Sequence, residues 1–509
     1  MEKLLEAMSL REKLGQMIMT GLPGIELDQE FAALIEEEKI GNVILFQYNQ
    51  QRAEQVKTLC TVLREAIERA TGLTPLIASD EEGGAVSRLP DDMGKLPSAM
   101  ALAAIHDPSV IYEAARLSGE ELLGVGINFV LAPVLDINNN PQNPVIGVRS
   151  YGTDAETVCT MGKAAIHGFR DAGILCAGKH FPGHGDTSVD THLDFALIHK
   201  GRAELKANEL RPFEMAIHEK IPAIMAAHVA FAGEDGIPAT LSHRIITELL
   251  RNEMQFDGMV ISDCMEMDAI RAHFGVAEGV VQSVKAGVDM IIISRNMEDV
   301  RAALCALRTA VESGAIPMAR IDQAVAKIMD CKRKYAGRRA VWNEELQQRS
   351  YARAEALYAW AVGAGVHPPK ATVRLGTAPR FLSPIRQQVS LVTDQQSKLS
   401  LAEELAKQFG GSAREISLRP DDSEIEEIVQ WAKDGSCIVA GCLNATVYKE
   451  QIELIKRLYT LDIPMVCAAL RNPFELDLLP ERVVRVPLYE YSRRAIVQLA
   501  RRLLPGEEG

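Results

Sequence analysis

The chain has no Cys-x-x-Cys pair, although it holds nine cysteines. Their number is odd and they are scattered, several of them in apolar runs (Cys176, Cys437, Cys467). That excludes a disulfide framework and predicts reduced core thiols in a cytoplasmic protein. There is no run of roughly 18 apolar residues, so no helix is expected to span a membrane. There is no basic block either. A net charge of -14 makes nucleic acid and acidic membranes poor partners. The opening stretch from Met1 to Ser9 is charged and amphipathic and lacks the apolar core of a signal peptide. No segment is of low complexity. What remains is 509 residues with 47% hydrophobic content, enough for two or more domains with large cores.

The first two thirds of the chain alternates short apolar runs with amphipathic patterns. Strands are expected at 14–20, 40–46, 75–80, 127–137, 174–181, 223–230, 258–263 and 288–294. The clearest helices are 54–70, 110–123, 155–172 and 203–220, and Ser9-x-x-Glu12 reads as a capping box. Eight β/α repeats predict a (β/α)8 TIM-type barrel, with a doubly wound sheet as the alternative. A second alternation begins at Gln388, with strands at 388–393, 415–418, 436–440, 464–470 and 483–488 and helices between them. It predicts a small three-layer α/β C-terminal domain. The expected division is therefore 1–335 for the barrel, 336–386 for a helical extension and linker, and 387–509 for the second domain.

The densest chemistry lies between Gly178 and His192: Lys179, His180, His184, Asp186, Asp190 and His192 share one segment. It follows the apolar run Ile174-Leu175-Cys176-Ala177, and Pro182, Gly183 and Gly185 forbid a regular helix there. A strand followed by a polar loop is how α/β enzymes present reactive groups. His180 and His184 are four apart, but that spacing aligns two rings only on a helix, which counts against a metal site. Gly173 to Lys179 fits G-x-x-x-x-G-K, yet His180 stands where a phosphate loop needs a hydroxyl. Asp190-x-His192 lets a carboxylate orient an imidazole and raise its pKa, as acid/base chemistry requires. A loop held by its own hydrogen bonds is the remaining alternative.

Other expected strand ends are polar as well. Asp80-Glu81-Glu82-Gly83-Gly84 follows the third strand, with Arg88 eight residues past Asp80. Asn143 to Arg149 follows the fourth, His228 ends the sixth and Ser262-Asp263 the seventh. A single such carboxylate is often a helix cap, but several on one rim read as an active site. Two near-motifs carry nothing. Gly124-Val-Gly126 precedes a strand instead of following one, and Asp136-Ile-Asn138-Asn-Asn140 lacks the glycine and glutamate of a calcium loop.

Lys179-His-Phe-Pro-Gly-His-Gly-Asp-Thr187 followed by Asp190-x-His192 resembles the β-N-acetylhexosaminidase branch of glycoside hydrolase family 3. The resemblance covers roughly residues 8 to 335 and extends more weakly through the C-terminal region, where Leu470-Arg-Asn-Pro473 is similar to the family's second domain. It implies a retaining exo-β-N-acetylglucosaminidase without cofactor or metal, acting on cell-wall-derived or other GlcNAc-terminated saccharides. Asp263, in Ser-Asp-x-Met, matches the family's nucleophile, His192 its acid/base and Asp190 the partner of that histidine. Asp80, Arg88, Arg149, Lys179 and His180 match its sugar-binding positions, with Lys179 and His180 expected to donate to the sugar. His228 is a further candidate that could equally pack. Three rivals remain: a β-N-acetylglucosaminide phosphorylase on the same scaffold, a metal-dependent amidohydrolase using His180, His184 and Asp263, and a sugar-binding protein without catalysis. The sequence says nothing of oligomeric state.

Overall fold

The computed structural model describes residues 2–187, 196–368, 373–385 and 399–503. Eight parallel strands close into a barrel in chain order: β1 Ile18–Thr20, β2 Asn42–Leu45, β3 Leu76–Ser79, β4 Phe129–Val130, β5 Leu175–Phe181, β6 Ala223–Ala226, β7 Met259–Cys264 and β8 Met290–Ile293. β8 pairs back onto β1, which removes every sheet edge. All eight expected strands are present. Helices surround them because their apolar residues recur every three or four positions. The helix Ala53–Thr71 buries Val56, Leu59, Cys60, Leu63 and Ile67 against the barrel and ends at Gly72 with φ 71°.

Three local expectations change. The first strand is shorter than 14–20 because the capping box at Ser9 starts the helix Leu10–Met17, which takes up most of that apolar run. The fourth pairs regularly only over Phe129–Val130, since Pro133 has no N–H for the ladder. Its extension still runs beside β5: Leu135 N–H donates to Lys179 O at 2.6 Å and Lys179 N–H to Pro133 O at 3.1 Å. The single helix expected at 203–220 is two, Arg202–Ala207 and Arg211–His218. Pro212 opens the second and cannot continue the first.

The second unit is a five-stranded parallel sheet in the order β10-β9-β11-β12-β13, with β9 Pro379–Pro384, β10 Ser412–Ile416, β11 Cys437–Cys442, β12 Met465–Ala469 and β13 Val484–Pro487. Alternation sets its two faces. Phe381 and Val439 join one core with Leu401, Leu405 and Leu499. Leu382, Ile438 and Ala440 join another with Ile425, Ile428, Ile452 and Ile455. This is the expected three-layer arrangement. β9 lies inside the segment read as linker, where its flanking prolines hid a buried strand, and the strand expected at 388–393 lies outside the described residues. The helix Glu344–Ala364 packs on both units.

Candidate active site

Parallel strands in a closed barrel end on one rim, so the residues that follow them share a face. Lys179 and His180 ride on β5, Asp80 follows β3, and Asp263 occupies the penultimate position of β7. Lys179 reaches across β4 to Asp80: its Nζ lies 2.7 Å from Asp80 Oδ1 and 2.6 Å from Glu82 Oε1. Glu82 also takes two bonds from Arg149, from Nε at 2.7 Å and from Nη2 at 2.9 Å. The Asp80 side chain is 18% exposed, against 3% for Lys179 and 2% for Glu82, so Asp80 is the member that faces incoming solute.

His180 is locked in place. Arg149 Nη2 lies 3.3 Å from Nε2, and Nδ1 lies 2.7 Å from Asp136 Oδ2. A guanidinium only donates, so Arg149 brings its N–H groups to one side of the ring while Asp136 accepts the Nδ1–H on the other. The ring is thereby held between a guanidinium and a carboxylate. Asp136 also receives the backbone N–H groups of His180 and of His184, the latter at 2.6 Å.

Burial and charge oppose each other throughout this cluster. Burial alone would raise the Glu82 carboxyl, but Arg149 and Lys179 hold it well below the usual carboxylate range. Asp136 is lowered likewise: burial works against it, and His180 and His184 outweigh burial. Burial would lower Lys179, yet Asp80 and Glu82 raise it. His184 is pushed down to about 4 by burial and by the neighbouring His180. Glu82 and Asp136 are thus held as carboxylates and Lys179 as a cation, while the His184 ring is held neutral.

Asp263 is half-buried, and one of its oxygens accepts the Cys264 N–H at 2.7 Å, which fixes the carboxylate's direction. His228 is buried, with Nε2 2.9 Å from Cys264 O and Nδ1 2.9 Å from Thr240 Oγ1. It braces the end of β7 beside Asp263. Burial pushes the Cys264 thiol up to about 12, so that sulfur is a packing group. Arg88 leaves the two-stranded turn after β3, its N–H donating to Glu81 Oε2 at 3.2 Å. Asp190 and His192 lie outside the described residues. Among the described residues no three His, Cys, Asp or Glu side chains are grouped to hold a metal ion.

The stem of that loop is described. Asn143 Nδ2 donates to the carbonyls of His184 and Gly185, each at 2.9 Å. Gly185 is required at its position, because a Cβ there would stand 1.6 Å from Ile137 O. On the other side Lys200 Nζ sits 2.7 Å from Asp186 and 2.6 Å from Glu209. Glu82, Asp136 and Asn143 in these bonding roles escaped sequence reasoning. For Asp136 a signal exists: it is the one ionisable residue in the apolar stretch from Ile127 to Ile137.

Residues 9–331 match the glycosyl hydrolase family 3 N-terminal domain. The solved family 3 β-N-acetylglucosaminidase of Paenibacillus sp. str. FPU-7 superposes with a TM-score of 0.87 at 36% identity, covering 98% of this chain and 97% of that one. Among curated proteins, β-hexosaminidase A of Pseudoalteromonas piscicida is 33% identical over 67% of this chain and 61% of its own length. The β-hexosaminidase of Alkalilimnicola ehrlichii is 34% identical over 56% of this chain and 83% of its own. The chain spans under two thirds of the first of these relatives and most of the second. With a closed barrel, a polar rim and a family match across that barrel, the chain belongs to glycoside hydrolase family 3, within its β-N-acetylhexosaminidase branch.

Proposed function

We propose that the protein is a retaining exo-β-N-acetylglucosaminidase that removes terminal GlcNAc from cell-wall-derived or other GlcNAc-terminated glycans. The observation that carries this reading is the linked cluster of Asp80, Lys179, Glu82, Arg149, His180 and Asp136 on the rim that also bears Asp263. Such a cluster holds sugar hydroxyls in a fixed pattern: Asp80 accepts from two neighbouring hydroxyls, and Lys179 and Arg149 supply donors. Arg88 enters from the turn after Asp80. Ring orientation is then set by groups that need no reorganisation, leaving the anomeric carbon over the Asp263 carboxylate.

In the proposed sequence Asp263 attacks that carbon while His192 protonates the glycosidic oxygen; the bond to the aglycone breaks, and a glycosyl ester is left on Asp263. The now neutral His192 takes a proton from water, which attacks the same carbon and releases GlcNAc. Asp190 stabilises the imidazolium. The nine cysteines are all free, which supports a reducing, cytoplasmic setting. The test is chromophore release from an aryl β-GlcNAc, with and without phosphate, followed by trapping with a 5-fluoro glycoside. The label is expected on a peptide containing Asp263. A label elsewhere moves the nucleophile, and turnover only with phosphate makes the enzyme a phosphorylase.

A further inference from the structure

The C-terminal sheet touches the barrel where the active-site loop stem is anchored. The residues after β11 and those after β12 supply three donors to one turn of the barrel. Thr446 Oγ1 and Asn472 Nδ2 both donate to Pro141 O, each at 3.4 Å, and Arg471 Nη2 donates to Pro144 O at 3.3 Å. Arg471 and Asn472 are 8% and 7% exposed, so these bonds lie inside the contact. The two supplying loops are tied to each other, because Glu475 accepts the Ala445 N–H from the other loop.

Asn143 lies between those two prolines, directly before Pro144. Its amide oxygen accepts the N–H groups of Val145 and Ile146 at 2.9 and 2.8 Å, which closes the turn. Its amide nitrogen holds the carbonyls of His184 and Gly185 and lies 3.2 Å from Thr187 Oγ1. The same connection ends in Gly147–Arg149, which aims Arg149 at Glu82 and His180. A push on 141–144 therefore reaches both the loop stem and the sugar-binding cluster through two or three short bonds.

We propose that the C-terminal domain is a positioning element of the active site, acting through Arg471 and Asn472 on the turn at 141–144 and through Asn143 on residues 184–187. The reading of which barrel residues do chemistry is that of the proposed function. The alternative is that these bonds only glue two domains together. A second contact separates the two: Arg494 Nη1 donates to Lys95 O at 2.9 Å, away from the turn.

The experiment uses the full chain and four variants: Arg471→Ala/Asn472→Ala, the milder Thr446→Val, the conservative Arg471→Lys, and Arg494→Ala as the control for glue alone. Backbone hydrogen exchange at 184–187 is expected to rise about tenfold or more in the double variant and less in Thr446→Val, with β5 unchanged. Arg494→Ala is expected to lower the melting temperature without that local rise. On aryl β-GlcNAc substrates the double variant is expected to lose about tenfold in kcat with little change in KM, and Arg471→Lys to recover most of the loss. Unchanged exchange at 184–187 in a folded double variant overturns the proposal, as does the same rise in Arg494→Ala. A wild type inert on every β-GlcNAc substrate overturns the proposed function instead, and the exchange measurement still decides this inference.

Discussion

Lys179 Nζ lies 2.6 Å from Glu82 Oε1, with both side chains almost wholly removed from solvent. Glu82 is not the carboxylate that directly meets solute; Asp80 is. Its place between Lys179 and Arg149 makes it the anion that permits two cations to be buried at the floor of the site. An isolated buried cation is strongly unfavourable, whereas a paired and hydrogen-bonded one is tolerated.

Glu82→Ala is therefore expected to cost on the order of 3–5 kcal/mol, because it leaves two buried cations without their shared anion. Glu82→Gln keeps the shape and is expected to cost less while raising KM, since Lys179 and Arg149 lose their aim. Urea denaturation and steady-state kinetics on both variants check this. Equal stability of the alanine variant and the wild type would mean that the cations find other partners.

Gly185→Ala places a methyl group against Ile137 O. The stem at 184–187 must shift away from Asn143, and a displacement near 1 Å is expected to lower kcat by roughly a hundredfold. Circular dichroism and melting of the folded variant separate this from global unfolding. A variant with unaltered kcat would show that the stem is not mechanically coupled to catalysis.

His184 gives a pH signature of fixed sign. Its folded pKa, near 4, lies below the ordinary imidazole value of 6.5, so the unfolded chain takes up a proton first as pH falls. Its neutral form therefore adds stability above about pH 6.5, and that contribution declines toward pH 4, with a slope of at most about 1.4 kcal/mol per pH unit. Replacing it by Gln is expected to flatten stability against pH in that window. Denaturation midpoints measured from about pH 7 to about pH 4.5 should converge for the two proteins as the pH falls. Parallel curves would mean that His184 titrates alike in the folded and unfolded chain.

His192→Ala is expected to be crippled on poor leaving groups and much less affected on a dinitrophenyl glycoside, whose aglycone departs without a proton. Azide should partly restore its second step, and Asp190→Asn should show a weaker form of the same pattern. The wild-type rate profile should be bell-shaped, its acidic limb from Asp263 and its basic limb from His192. An equal loss on good and poor leaving groups, with no response to azide, would make the histidine a binding residue.

Much of this architecture is legible from local chemistry. Apolar runs bounded by glycine and proline mark all eight barrel strands, since a buried parallel strand needs little else. The motif from Lys179 to Thr187 and the Ser262-Asp263 strand end identify the rim. Local pattern misleads where one apolar run serves two elements, as in the helix Leu10–Met17 followed by Ile18–Thr20, and where prolines border a real strand, as in Pro379–Pro384.

By itself the sequence determined the strands, their order of appearance, the side of the barrel that carries polar residues, and the residue types available there. Only the tertiary structure decided which of them meet. Lys179 is 99 residues from Asp80, Arg149 is 67 from Glu82, and Arg471 is 327 from Pro144. Periodicity reports the face on which a side chain leaves its own element. It carries no record of what lies opposite, because parallel strands and separate domains bring together segments whose spacing in the chain is set by the connections between them.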